Sequence, residues 1–264
     1  RTKELAAVLK ELQSSNADLG QSNDALKHSN QELAQFAYVA SHDLQEPLRK
    51  IQIFAGLLQE NHLGKDPKIM IEKITFSAAR MSQLITDLLA FSRLIQPQKS
   101  LQQIDLNEVI KNIWIDFELA VEEKNASIET GKLPVVKAVG LQMNQLFYNL
   151  VGNSLKFTRN DIAPKITINA VLVPHDYAAQ FTDSPLVEGE YHHILFSDNG
   201  IGFEKGYEKQ IFEIFKRLHE QNIFPGSGIG LALCRRIVNN HHGVMYAESE
   251  YGKGTTFHIF LPAS

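Results

Sequence analysis

Leucine recurs every seventh residue at the start of the chain, at Leu5, Leu12, Leu19, Leu26 and Leu33. With these at heptad position d, position a holds Leu9, Asn16, Asn23, Asn30 and Ala37. The repeat is visible in the letters themselves, as SNADLGQ, SNDALKH and SNQELAQ over residues 15–35. A seam with this period predicts a coiled coil. Asparagines within it lower stability but fix register and strand number, usually as a parallel dimer. The register runs on, with Ala40, Pro47 and Phe54 at d and Leu44, Ile51 and Leu58 at a. It leaves His42 at f, the position facing solvent. The first helix is expected to end near NHLGKDP, residues 61–67. There Asp66-Pro67 suits the cap and first position of a second helix. That helix carries Ile74, Ala78, Met81, Ile85, Leu88 and Ile95 on one stripe and stops before Pro97. Two helices joined by a short loop predict a hairpin, and two hairpins from a dimer predict a four-helix bundle.

Beyond Pro97 the pattern changes. IDLNEVIKNIWIDFELAVEEKNA and LQMNQLFYNLVGNSLKFT have helical spacing, and GIGLALCRRIVNNH reads as a helix opened by glycines. KITINAVLV, YHHILFSD and GKGTTFHIFL are rich in β-branched and aromatic residues and predict strands. Residues 174–189 read as a loop between strands. The expected fold class is therefore an all-α coiled coil and helical hairpin followed by an α+β sandwich. The expected domains are residues 1–35, 36–97 and 103–264.

Composition narrows the field without deciding it. The chain of 264 residues has 26 Lys and Arg against 30 Asp and Glu, a formal charge of -4, which does not suggest a nucleic-acid partner. Cys234 is the single cysteine, so no internal disulfide forms. The sequence has no apolar run long enough to span a membrane. It opens at Arg1 without a methionine or signal-peptide pattern. We therefore expect a cytoplasmic piece of a longer protein, whose upstream part could attach to a membrane.

Three segments carry candidate chemistry. DNGIGF (198–203) follows a predicted strand, and GSGIGLAL (226–233) precedes a predicted helix. Glycines let backbone N–H groups approach phosphates, and a helix N-terminus favours an anion. On the helix containing NLVGNSLKF, Asn149, Asn153 and Lys156 share a face at i, i+4 and i+7. Amide oxygens can ligate Mg²⁺, and an ammonium can pair with phosphate. Each segment alone is equally an ordinary turn or polar face.

In this order, the three segments resemble the GHKL-type ATP-binding domain shared by histidine kinases, gyrase and the Hsp90 chaperones, over roughly residues 103–264. The resemblance gives Asp198 the adenine amino group, Asn153 the Mg²⁺ with Asn149 beside it, and Lys156 a phosphate. It lays Phe157 against adenine and puts Thr255 nearby. Gly200, Gly202, Gly226, Gly228 and Gly230 are its glycines. IFEIFKRLH (211–219) looks like the kinase lid, with Phe212 and Phe215 as anchors and Arg217 reaching the γ-phosphate. Upstream, SHDLQEPL resembles the phosphoacceptor box of sensor histidine kinases, including phytochrome-like members. The implied activity is autophosphorylation of His42 from ATP with Mg²⁺, then transfer to a response-regulator receiver aspartate. A homodimer and an upstream sensor domain are implied with it. Asp43 is expected to set the imidazole tautomer or take its proton. Pro47, which cannot donate to the Asp43 carbonyl, is expected to loosen the helix as part of a packing switch. Glu46 departs from the Thr or Asn that many members carry at that position to orient water, so weak phosphatase activity is expected. The competing readings are an ATPase or chaperone without histidine chemistry, and a dimeric scaffold with a dead nucleotide site.

Overall fold

The computed structural model describes residues 44–59, 66–93, 101–159, 161–182, 185–218 and 226–263. The heptad region 1–35, the nucleophile candidate His42 and its neighbour Asp43 lie outside the described residues. Contacts divide the chain into two compact units, Arg1–Ser82 and Gln83–Ser264.

Helix α1 (44–59) runs antiparallel to helix α2, which spans Pro67–Arg93 and belongs to the first unit up to Ser82. Lys73 Nζ lies 5.0 Å over the Phe54 ring, and Arg80 Nη2 is 3.3 Å from Glu46 at the other end of α1. The Asp66 carboxylate accepts the Lys68 N–H at 2.9 Å, so the expected cap is in place. The described seam positions of α1, Leu44, Pro47, Ile51, Phe54 and Leu58, are all buried or half-buried. Pro47 is accommodated within the helix with its ring inside.

The α2 stripe differs from the expected one. Its buried and half-buried apolar line is Met70, Ile74, Ser77, Met81, Leu84 and Leu88, whereas Ala78 and Ile85 are exposed. Ile74, Met81 and Leu88 belong to both lines, Ser77 and Leu84 replace Ala78 and Ile85, and Ile95 lies outside the described residues. Ser77 tolerates burial because its hydroxyl donates to the Lys73 carbonyl at 2.8 Å.

The second unit is built on a five-stranded sheet in the order β2-β4-β5-β7-β6. Its strands are β2 (Ser127–Thr130), β4 (Lys165–Val173), β5 (Tyr191–Asp198), β6 (Val244–Glu250) and β7 (Gly254–Pro262). Only the β2–β4 pair is parallel. A separate antiparallel pair joins β1 (Gln102–Asp105) to β3 (Val135–Ala138). Helices α3 (Leu106–Asp116), α5 (Gly140–Lys156) and α7 (Gly230–Asn240) contribute to one continuous core with the sheet. Leu146, Phe147, Leu150, Ile194, Phe196, Ile237 and Ile259 are fully buried there. Each such side chain contributes about 1.5–3 kcal/mol relative to exposure. α+β is thus the observed class of this unit.

Two sequence expectations are corrected. The single helix expected from residue 104 is a strand, then α3, then a short α4 (Glu118–Lys124), broken at Phe117. Asp105 breaks the helical spacing because its carboxylate caps α3 by accepting the Asn107 N–H at 2.8 Å. The loop expected at 174–189 contains helix α6 (His175–Ala179), which carries Tyr177 and Ala178 and lies against the outer sheet face.

That outer face is an aromatic layer with a histidine pair. His193 Nε2 and His258 Nδ1 are 3.0 Å apart, so one ring donates and the other accepts. His193 stacks on Phe260 at 4.2 Å, and His258 stacks on Tyr246 at 4.3 Å. Burial, with His258 beside it, pushes His193 down to about 4, and burial also lowers His192, His241 and His258. Bases with depressed folded values stabilise the fold fully above the unfolded histidine value of about 6.5 and lose that contribution as pH falls through it. The melting temperature of the chain is therefore expected to fall by roughly 5–10 °C between pH 7.5 and pH 5. Asp105, Asp161 and Glu46, held low by their partners, act only at more acid pH. A flat melting temperature across this range in calorimetry would contradict the sign. Among the described residues, no helix is long and apolar enough to cross a membrane.

Candidate functional site

Helix α5 and three turns converge on one cleft of about 390 Å³. Asn149, Asn153, Lys156 and Phe157 come from α5 and its C-cap, Asp198 ends β5, and Gly202 lies in the turn after it. Arg217 comes from the lid segment, Gly226, Gly228 and Gly230 from the loop that opens α7, and Thr255 from β7. The structure thus brings eleven residues named from sequence into one lining.

Gly200 and Phe215 are not part of that lining, and each acts from behind it. The Gly200 N–H donates to Asp198 Oδ1 at 2.9 Å. The Phe215 N–H donates to the Gly228 carbonyl at 2.9 Å, with Phe215 itself at a φ of 65°. A bulky residue in the left-handed region is strained, and such strain concentrates at functional sites. Phe212 is buried in the core, with the Arg235 guanidinium 5.3 Å from its ring centre.

Asp198 is the most constrained group. Its carboxylate accepts from the Ser154 hydroxyl at 3.1 Å, from Gly200 and from the Thr255 N–H. Burial pushes its pKa up, and those three donors act in the opposite direction. Thr255 stands opposite it in the β5–β7 register. Asn199 anchors the same turn with both amide atoms. Its oxygen accepts the Lys165 N–H at 2.7 Å, and its nitrogen donates to the Ala163 carbonyl at 2.9 Å.

The other end of the cleft is cationic. Burial, then the nearby Arg217 charge, lowers Lys156 to about 8. Its ammonium lies 4.4 Å from the Phe157 ring centre. A Cβ at Gly226 would approach Lys156 Nζ to 2.6 Å, so glycine leaves the ammonium room. Two like charges at one end of a cleft, beside a glycine loop and a helix N-terminus, suit a polyanion. Asn149 Nδ2 is buried beside the Cys234 thiol, its one hydrogen-bond partner among the described residues. Among the described residues, no cluster of three His, Cys, Asp or Glu is placed to hold a metal.

Ser154, Ile201, Phe203, Leu231 and Phe257 were not named from sequence, yet four line the cleft and Ser154 holds Asp198. The apolar four give one end of the cleft a non-polar lining. Ser154 had a legible signal, since it immediately follows Asn153 in the segment that carries the polar face.

A buried acceptor, an apolar slot and a cationic glycine-lined end define a nucleotide site on an α+β layer. Residues 138–264 match the family described as histidine kinase-, DNA gyrase B- and HSP90-like ATPase, and residues 32–97 match the His Kinase A phospho-acceptor domain. The chain thus combines the phospho-acceptor and ATP-binding domains found in histidine kinases. It is 34% identical over 248 residues to the phytochrome-like protein Cph1 of Synechocystis sp., covering 93% of this chain and 31% of that protein. It is 38% identical over 253 residues to cyanobacterial phytochrome B of Nostoc sp., covering 92% of this chain and 31% of that protein. The chain thus spans under a third of the length of these curated relatives. In fold it is similar to the Acinetobacter baumannii histidine kinase AdeS, with a TM-score of 0.61 at 17% identity, covering 84% of this chain and 98% of that one. It is also similar to histidine kinase ThkA in its complex with response regulator protein TrrA, with a TM-score of 0.59 at 20% identity, covering 87% and 61% of the two chains.

Proposed function

We propose that the protein phosphorylates itself on His42 from ATP and passes the phosphoryl group to an aspartate of a response-regulator receiver. The observation that carries this reading is the convergence of Asp198, Thr255, Asn153, Lys156 and Arg217 on one cleft in a chain that also holds a phosphoacceptor box. Asp198 accepts the adenine amino group, the apolar slot takes the ring, and Lys156 and Arg217 meet the phosphates. Asn153, with Asn149 beside it, is placed to hold Mg²⁺, which supplies charge neutralisation across the phosphates when bound.

One ring nitrogen of His42 attacks the γ-phosphorus. The N–P bond forms as the bond to the bridging oxygen breaks, and ADP leaves. The other ring nitrogen carries the proton, which Asp43 can hold or accept. In the second step the receiver carboxylate attacks phosphorus, the N–P bond breaks, and the imidazole is regenerated. Glu46 forms a 2.7 Å ion pair with Lys50 and a 3.3 Å pair with Arg80, and these hold its pKa down. It stays a carboxylate, which disfavours hydrolytic water beside the phosphohistidine. The exposed apolar residues Leu48, Ile53, Ile71 and Phe76 of the hairpin support a second copy as its partner.

The test is incubation with Mg²⁺ and γ-labelled ATP. The wild-type chain is expected to retain label that is lost in acid and stable in alkali. His42→Gln is expected to retain none while binding ATP normally. Equal ATP turnover by both proteins with no retained label would replace the kinase by an ATPase.

A further inference from the structure

Three stretches of backbone meet at the Asp198 end of the cleft. They are the segment after α5 (157–159, with 161), the turn after β5 (198–203) and the hairpin between β6 and β7 (249–255). The Ile201 N–H donates to the Phe157 carbonyl at 2.9 Å, and the Gly252 N–H donates to the Ile201 carbonyl at 2.7 Å. Ser249 Oγ accepts the Phe203 N–H at 2.9 Å and donates to the Gly254 carbonyl at 2.8 Å. The hairpin is therefore tied firmly to the middle segment. One side chain joins it directly to the first: Arg159 Nη1 donates to the Gly252 carbonyl at 2.7 Å.

That guanidinium is aimed by a second residue. Asp161 accepts from Arg159 Nε at 3.0 Å and from Nη2 at 2.5 Å, a two-pronged pair that fixes the plane of the fork. An exposed ion pair of this kind contributes little stability. Its effect is geometric, since it leaves Nη1 pointing at the turn. Phe157 lies two residues before Arg159, and Thr255 lies three residues after Gly252. Both line the cleft. The Arg159–Gly252 bond thus spans the outside of the slot whose inner walls carry Phe157 on one side and Thr255 with Asp198 on the other.

The geometry points to Arg159 as a positioning residue for the nucleobase, oriented by Asp161, that sets the spacing between the Phe157 segment and the Thr255 hairpin. This rests on the reading that the cleft takes ATP. Among the described residues, the hydrogen bonds of Arg159 go to Gly252 and Asp161, so its loss is expected to act on the base end.

The test compares ATP with inorganic tripolyphosphate, which presents the phosphate chain without a base. Affinities of the full chain are measured by calorimetry and by displacement of a fluorescent ATP analogue. Arg159→Ala is expected to weaken ATP about 5–20-fold and leave tripolyphosphate within two-fold. Arg159→Lys, which keeps one donor for the carbonyl, is expected to recover part of the loss. Asp161→Ala is expected to fall between wild type and Arg159→Ala. If Arg159→Ala does not fold, Arg159→Lys and Asp161→Ala carry the same comparison. ATP affinity unchanged in every variant would overturn the inference. Equal weakening of ATP and tripolyphosphate would also overturn it, as a general loosening. Wild-type chain that binds no ATP would instead remove the proposed function on which it rests.

Discussion

Asp198→Asn is expected to lower ATP affinity about 100-fold. The wild-type carboxylate accepts from Ser154, Gly200 and Thr255 in a buried place and still has capacity to accept from an adenine amino group. The amide turns one of those oxygens into a donor. It then faces the Gly200 N–H, the Thr255 N–H or the adenine N–H, donor against donor. Losing a charge-assisted bond and leaving a buried polar group unpaired costs roughly 3 kcal/mol together, which is about two decades in affinity. Ser154→Ala removes one supporting donor and is expected to cost under ten-fold. Calorimetric titration reads both. Binding by Asp198→Asn within three-fold of wild type would take the base-reading role from Asp198.

Gly254→Ala is expected to damage the fold itself. Gly254 has a φ of 117°, a region closed to residues with a side chain. Its Cβ would press on the Asp198 carbonyl oxygen and come within 2.9 Å of Asn199 Cα. Both are backbone atoms of the turn that carries the candidate base acceptor, so neither yields cheaply. Strain and displacement together should cost about 3–5 kcal/mol, lowering the melting temperature by roughly 10 °C. Gly252→Ala is the matched control. It shares a positive φ, 80°, but nothing lies within 4 Å of its added methyl. It should cost about 1 kcal/mol. Equal melting temperatures for the two variants would show that close packing, as distinct from backbone conformation, has no part in the choice of glycine at 254.

Much of the candidate site was legible because its residues are polar where a helix or strand would otherwise be apolar. Asn149, Asn153 and Lys156 stand out at helical spacing, and the glycines stand out by composition. What was not legible was second-hand: Ser154, Ser249 and Arg159 act through partners 44, 5 and 93 residues away, which no periodicity reports. In the fold, β4 and β5 were readable to the residue, since both have continuous apolar and β-branched runs. β1, β2 and β3 were missed because four-residue strands of mixed polarity, such as Gln102–Asp105, carry too little pattern. β6 was missed for another reason. Its outer face carries Tyr246 and Glu248, and the polar residue masks the alternation. The α2 stripe slipped by one position because a buried serine looks like a surface residue until its own backbone bond is known.

Helix α7 has a glycine loop at its head and a clasp at its tail. His241, just past its last turn, bonds the Ile237 carbonyl through Nδ1 at 2.8 Å and accepts the Val139 N–H at Nε2 at 3.0 Å. Val139 is the residue that opens α5. The tail of one nucleotide-facing helix is thereby pinned to the head of the other, by a ring locked in a single tautomer. The two helices that line the cleft are thus braced against each other at the end remote from the glycine loop.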